Sequence, residues 1–153
     1  MQTEAQAFAQ RNGFQDIVGA VDGPHIKLNK PQIHAQRLFN RKHFYSLQLQ
    51  AVCLHNMIFS HIFTGYPGSV HDACIVRQSD LWNDGLQLCN RNYNFLGDKA
   101  YSLRRWLLTP FRNNGHLTPQ EKNSTLITHQ IVVIERAFAL LKGRFSLQQF
   151  INT

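Results

Sequence analysis

Acidic residues are scarce in this chain of 153 residues: nine Asp and Glu stand against 16 Lys and Arg, a formal net charge of +7. Such an excess of cations favours polyanionic partners, nucleic acid or an anionic surface, and says nothing about fold. Cysteine is sparse too. Cys53, Cys74 and Cys89 are an odd set with neither paired CxxC spacing nor the density of a disulfide framework, so they read as three buried or inert thiols. Long apolar runs are missing. Stretches such as Ile131 to Ile134 and Ala137 to Leu141 fall far short of the roughly 20 residues that span a bilayer, which excludes a membrane-crossing helix. The N-terminus lacks the basic start and apolar middle of a secretory signal, making an intracellular protein the default expectation. The eight histidines contain no HExxH pair and no close His/Cys quartet, so zinc is not expected.

What is present is a core. A hydrophobic fraction of 43% with 11% aromatics excludes disorder, and the length suits one domain. Residues 1–16 form a short polar, Ala-rich segment that reads as the remnant of a longer upstream region. Ile17 to Val21 is small and β-branched and ends in Asp22-Gly23-Pro24, the pattern of a buried strand, and His25 to Leu28 alternates as a second short strand. The stretch to Lys42 reads as loop. Phe44 to Val52 alternates Tyr45, Leu47, Leu49 and Ala51 with Ser46, Gln48 and Gln50, the period of a half-buried strand. A turn at His55-Asn56 joins it to an apolar strand from Met57 to Thr64. Ser69-Val70-His71-Asp72 has the spacing of a helix capping box, predicting a helix from Val70 to Leu81. Asn94 to Asp98 and Leu107-Leu108 are further strands. Ile127, Ile131, Ile134, Phe138 and Leu141 form one helical stripe, with Thr118-Pro119 as its start and Gly143 as its stop. The order of elements gives a mixed α/β fold.

With only nine acids, their positions carry information. Asp22 and Asp98 end short apolar strands, and Glu135 lies beside the stripe of the last helix. Converging carboxylates make a hard-oxygen cage for magnesium or manganese, the arrangement that serves phosphoryl transfer. Each acid also has an ordinary reading: Asp22 and Asp98 as turn residues, Glu135 on a solvated helix face, and Asp72 as the capping partner of Ser69.

Six blocks, VDGPHI (21–26), NRKHFYSLQLQAVC (40–53), GSVHDACI (68–75), LGDKAY (96–101), WLLTPF (106–111) and IERAFALLKGRF (134–145), resemble in order the DDE endonuclease domain of Harbinger-type transposases and transposase-derived nucleases. The resemblance spans about Ile17 to Phe145. It implies residues 17–145 as the endonuclease domain, residues 146–153 as a C-terminal tail, and an RNase H-like fold with a five-stranded mixed sheet flanked by helices. It further implies Asp22, Asp98 and Glu135 as catalytic residues and metal ligands, Mg²⁺ or Mn²⁺ as cofactor, DNA as substrate, and a nuclear location, with the cytoplasm as alternative.

The chain departs from the family pattern at several positions. Leu54 stands where an Asp often follows the Ala51-Val52-Cys53 block, Lys99-Ala100 replaces Ser-Gly beside Asp98, Ile131 stands where an Arg is common, and Ala139 where a Gly is. Lys99 is placed to pair with Asp98 and compete with a cation. The upstream helix-turn-helix of such proteins is not seen, which implies a separate DNA-binding partner for sequence recognition. The rival expectation is a domesticated, catalytically weak or inactive DNA- or protein-binding module that keeps the fold. Lys27, Lys30, Arg37, Arg41, Lys42, Arg104, Arg105, Lys142 and Arg144 are expected to border a carboxylate cleft, where they would neutralise phosphates.

Overall fold

The computed structural model describes residues 2–12, 15–111, 118 and 126–151. Helix α1 (Gln2–Asn12) precedes strands β1 (Ile17–Asp22) and β2 (His25–Lys27), the short helix α2 (Ala35–Leu38), and strands β3 (Ser46–Cys53) and β4 (Phe59–Pro67). Helices α3 (Asp72–Gln78) and α4 (Asp80–Leu88), strands β5 (Asn94–Gly97) and β6 (Leu107–Leu108), and the long helix α5 (Leu126–Ile151) follow.

Six strands form one mixed sheet. β3 pairs antiparallel with β4 along one edge and with both β1 and β2 along the other. β1 then pairs in parallel with β5, and β5 in parallel with β6. Five strands were expected. The sixth arises because the first strand is broken at Gly23-Pro24, where proline has no N–H to give to a ladder. Both halves keep one register along β3: Ala20, Val21 and Asp22 face Cys53, Val52 and Ala51, and His25, Ile26 and Lys27 face Gln48, Leu47 and Ser46. Across the break the Leu49 N–H still donates to the Pro24 carbonyl at 3.1 Å.

Both faces of the sheet are covered. Ile17, Ala20, Leu49, Ala51, Cys53 and Leu96 pack beneath Phe8 of α1 and Ile134, Ala137 and Phe138 of α5. Val18, Val21, Val52 and Phe95 pack on the other side with Val76, Leu81, Tyr101 and Trp106. β3 is therefore not half-buried as its alternation suggests: its polar residues Ser46, Gln48 and Gln50 are buried under α3 and its flanks. They are retained there by hydrogen bonds, Ser46 from Asn40, Gln48 to the Gly23 carbonyl and Gln50 to Ser79.

The helix expected from Val70 to Leu81 begins at Asp72 and breaks at Ser79, after which α4 continues to Leu88. Ser79 has extended backbone and its hydroxyl donates back to the Val76 carbonyl at 2.8 Å, closing α3. The capping box does not form, since the Ser69 hydroxyl donates to the Arg37 carbonyl and α3 has no side-chain cap. Nor does Gly143 end the last helix, which runs on to Ile151. One helical glycine costs only about 1 kcal/mol and does not stop a helix anchored by packing. The proposed start at Pro119 lies outside the described residues. The turn after β3 is as expected, with Leu54 N–H donating to the Ile58 carbonyl at 2.9 Å. Among the described residues no helix is long and apolar enough to cross a membrane. Of the three thiols expected to be buried or inert, Cys53 and Cys89 are buried and Cys74 is exposed.

Candidate active site

Asp22 and Asp98 come to the same end of two neighbouring parallel strands. Val21 is in register with Gly97, so each acid follows at the same level. Ala20 and Leu96 both lie in the core beneath α5, and two residues further along a strand returns to the same face, so both acids are on the α5 side. Glu135 follows the fully buried Ile134 on α5 and is itself exposed; its charge is felt at Asp22. The side chain of Ile131, the other expected anchor, lies outside the described residues. The structure thus gathers the three expected acids at one end of the sheet. Among the described residues, no three His, Cys, Asp or Glu side chains are grouped closely enough to form a ready-made metal cage.

β5 ends one residue before Asp98, and this shapes the site. Pro24 faces β3, so the polar groups of Gly23 point the other way, where no strand remains to pair with them. Unpaired buried backbone groups are costly, and side chains replace the missing ladder. The Gly23 N–H donates to Asp22 Oδ1 at 2.7 Å, and Gln48 Nε2 donates to the Gly23 carbonyl at 3.0 Å. Gln48 Nε2 also donates to Asp72 Oδ1. A Cβ on residue 23 would sit 2.8 Å from Asp72 Oδ1 and 3.0 Å from the Tyr101 hydroxyl, so a larger residue here would push the Asp72 carboxyl out of place.

Asp72 is the site residue that the sequence reading misses. Its S-x-x-D spacing suggested a cap, whereas it is a fourth carboxyl of the cluster. Burial pushes its pKa up, with Asp98 adding to the effect. Burial likewise raises Asp22, to about 6; the Gly23 N–H opposes this, and Asp98, Asp72 and Glu135 reinforce it. The Tyr101 hydroxyl, nearly fully buried, is held far above the usual phenol range by burial and by Asp72, Asp22 and Asp98, and among the described residues it has no hydrogen-bond partner. The Asp98 carboxylate accepts the Ala100 N–H at 2.6 Å, and Lys99 is exposed without an ion pair to it.

An open cleft of about 510 Å³ lies beside these acids, and Asp22, Asp72, His25, Arg41, Lys42 and Lys142 are among the residues that line it. Burial lowers the His25 pKa, and Lys42, Lys142 and Arg41 lower it further. The cleft therefore offers carboxylates to a cation and cations to a phosphate. An all-carboxylate donor set suits Mg²⁺ or Mn²⁺, and the raised Asp22 marks negative charge that no neighbouring cation fully offsets.

A family model for DDE superfamily endonucleases matches residues 21–151, the stretch that carries all four acids. The chain belongs to this family. The DDE domain is 31% identical over 138 residues to the protein named Putative nuclease HARBI1 of Bos taurus and to its Homo sapiens counterpart, covering 87% of the chain and 38% of each relative. It is 27% identical over 156 residues to Protein ALP1-like of Arabidopsis thaliana, covering 92% of the chain and 38% of that relative. The resemblance to the DDE domain of Harbinger-type transposases and their derived nucleases holds. The DDE domain thus spans less than half the length of these curated relatives. No solved structure matches it.

Proposed function

We propose that this DDE domain is a divalent-metal-dependent DNA endonuclease of transposase descent, in which Asp22, Asp98 and Glu135 hold Mg²⁺ or Mn²⁺. The observation that carries the reading is the convergence of Asp22 and Asp98 at the level where β5 ends, beneath the helix that bears Glu135. The RNase H-like fold is supported by the strand sequence β4–β3–β1–β5–β6, antiparallel on one side of the first strand and parallel on the other.

When bound, the cation would activate a water or a 3′-hydroxyl and stabilise the leaving oxygen of a phosphodiester. The chain's own residues do the rest. Gln48 ties the Gly23 carbonyl to Asp72 and so fixes the backbone from which Asp22 projects. Arg41, Lys42 and Lys142 line the same cleft and can neutralise the phosphates on either side of the cut. Phosphate contacts of this kind position a duplex without reading its sequence, so a separate partner is proposed to supply target choice, and the nucleus is the proposed place of action.

The test is nicking of supercoiled plasmid with Mg²⁺ or Mn²⁺. The parent should nick; Asp98→Asn and Glu135→Gln should fall to the metal-free level while folding and DNA binding persist. The exposed Asp80 is the control, and Asp80→Asn should nick like the parent. If Glu135→Gln nicks as well as the parent, the assignment of Glu135 is wrong; if the parent itself does not nick with either ion, the domain serves as a non-catalytic DNA- or protein-binding module.

A further inference from the structure

A second groove, of about 600 Å³, lies away from the acids, lined by Asn83, Leu86 and Gln87 of α4, Arg91 and Asn92 of the turn after it, Asn94 at the start of β5, and Arg105 before β6. Its lining holds two guanidinium groups, four carboxamides and no carboxylate. Neither arginine is ion-paired among the described residues. Two uncompensated guanidinium groups facing one groove repel each other, and an anion relieves that repulsion.

The turn that carries Arg91 is built for this presentation. Asn90 and Arg91 are both left-handed, at φ 49° and 58°, a region that side chains other than glycine rarely occupy. Backbone hydrogen bonds hold them there: Asn90 N–H to the Gln87 carbonyl and Arg91 N–H to the Leu86 carbonyl, both at 2.8 Å, and Tyr93 N–H to the Cys89 carbonyl at 3.0 Å. Strained backbone that its surroundings hold in place is characteristic of binding sites. On the neighbouring surface Arg104 stacks over Trp82 at 3.7 Å, with Arg77 at 5.8 Å from the same ring, which extends the cationic surface beyond the groove.

We infer that this groove binds the sugar-phosphate backbone of a nucleic acid, with Arg91 and Arg105 on successive phosphates and the Asn and Gln amides on backbone oxygens. The guanidinium and amide donors that line the groove suit phosphate and sugar oxygens. The groove begins at Asn94, and Asp98 lies four residues away, about 13 Å along the strand. That separation lies within the footprint of a single duplex. The site stands on its own lining residues and does not depend on the acids being catalytic.

The test uses the whole chain and a fluorescent 20-base-pair DNA duplex in EDTA, titrated across a salt series. Arg91→Gly/Arg105→Ala removes both guanidinium groups and also relieves the left-handed strain at residue 91. The slope of log affinity against log salt should flatten by about 1.8, which is roughly a 60-fold loss at 0.1 M salt if the curves converge near 1 M. The melting temperature should not fall. Lys27→Ala/Lys30→Ala, which removes two exposed cations that, against expectation, line neither the cleft beside the acids nor this groove, should flatten the slope less. A slope equal to the parent's, or no flatter than that of the lysine pair, overturns the site. Because no metal is present, a failure here is separate from a failure of the nuclease reading, and Asp98→Asn should bind like the parent.

Discussion

Asp22→Asn should make the protein more stable at neutral pH while abolishing the proposed cleavage. The raised pKa, about 6 against an ordinary 3.8, means that the folded chain binds this proton more tightly than the unfolded chain does. The stability this proton confers is fully present below about pH 4 and is lost as the pH rises through 6. Above pH 7 the shift corresponds to about 3 kcal/mol of destabilisation by the buried, crowded carboxylate. Asparagine keeps the Oδ1 acceptor for the Gly23 N–H and removes the charge, so it should recover most of that amount. For a domain of this size the gain is about 6–12 °C in melting temperature. Melting curves by circular dichroism, from pH 3.5 to 8.5 in EDTA, measure it. The gain should grow with pH and vanish near pH 3.5. Mg²⁺ or Mn²⁺ should raise the melting temperature of the parent at pH 7.5 and leave that of Asp22→Asn nearly unchanged. A variant less stable than the parent at pH 8, or a gain that is the same at every pH, refutes the crowding of charge at this site.

Gly85→Ala should destabilise despite the better helix propensity of alanine. The new Cβ would lie 2.4 and 2.5 Å from two indole carbons of Trp106, and overpacking of about 1–3 kcal/mol outweighs a propensity gain of about 1 kcal/mol. Urea denaturation followed by tryptophan fluorescence decides it, and an unchanged midpoint would show that the indole moves aside freely. Gln48→Leu should cost about 1–3 kcal/mol by leaving the Gly23 carbonyl and Asp72 without their donor, again read from the urea midpoint. A loss under 0.5 kcal/mol, a value below that range, would mean that water replaces the amide without penalty. In native alkylation followed by mass spectrometry Cys74 alone should react quickly, because burial pushes Cys53 to about 11 and Cys89 to about 12. Rapid labelling of a second thiol would contradict the packing around β1 and β5.

The sequence makes the site's main axis legible because short apolar strands buried on both faces are conspicuous when each ends in one of only nine acids. The α5 stripe is legible for a similar reason: Ile134 and Phe138 obey helical spacing and do face the core. Gln48 is misread as solvent-facing because alternation reports polarity, and a buried glutamine bonded to Gly23 and Asp72 has the same letter as an exposed one. Asp72 is misread for a related reason: a local spacing that permits a cap cannot reveal that Ser69 is engaged with Arg37, 32 residues away in sequence. The break at Ser79 is hidden because its signal is a hydrogen bond to Gln50 on a strand far upstream. α4 is obscured by Asn83, Asp84 and Gly85, poor helix formers held helical by tertiary packing.

The shared register of β1 and β2 along β3 sets a parity rule for change at this point in the chain. Gly23 and Pro24 occupy two places in the ladder, so the residues on either side stay in phase. Deleting either one would rotate half of the strand by one step, turning Asp22 from the α5 face to the opposite face or exchanging His25 with Ile26. Length variants here should therefore be far less tolerated than substitutions, and an added pair of residues, which preserves phase, should be borne better than a single one. The break is a hinge in composition but a continuous strand in its arithmetic, and a chain that drifts in sequence can keep its acids aligned as long as that count is kept.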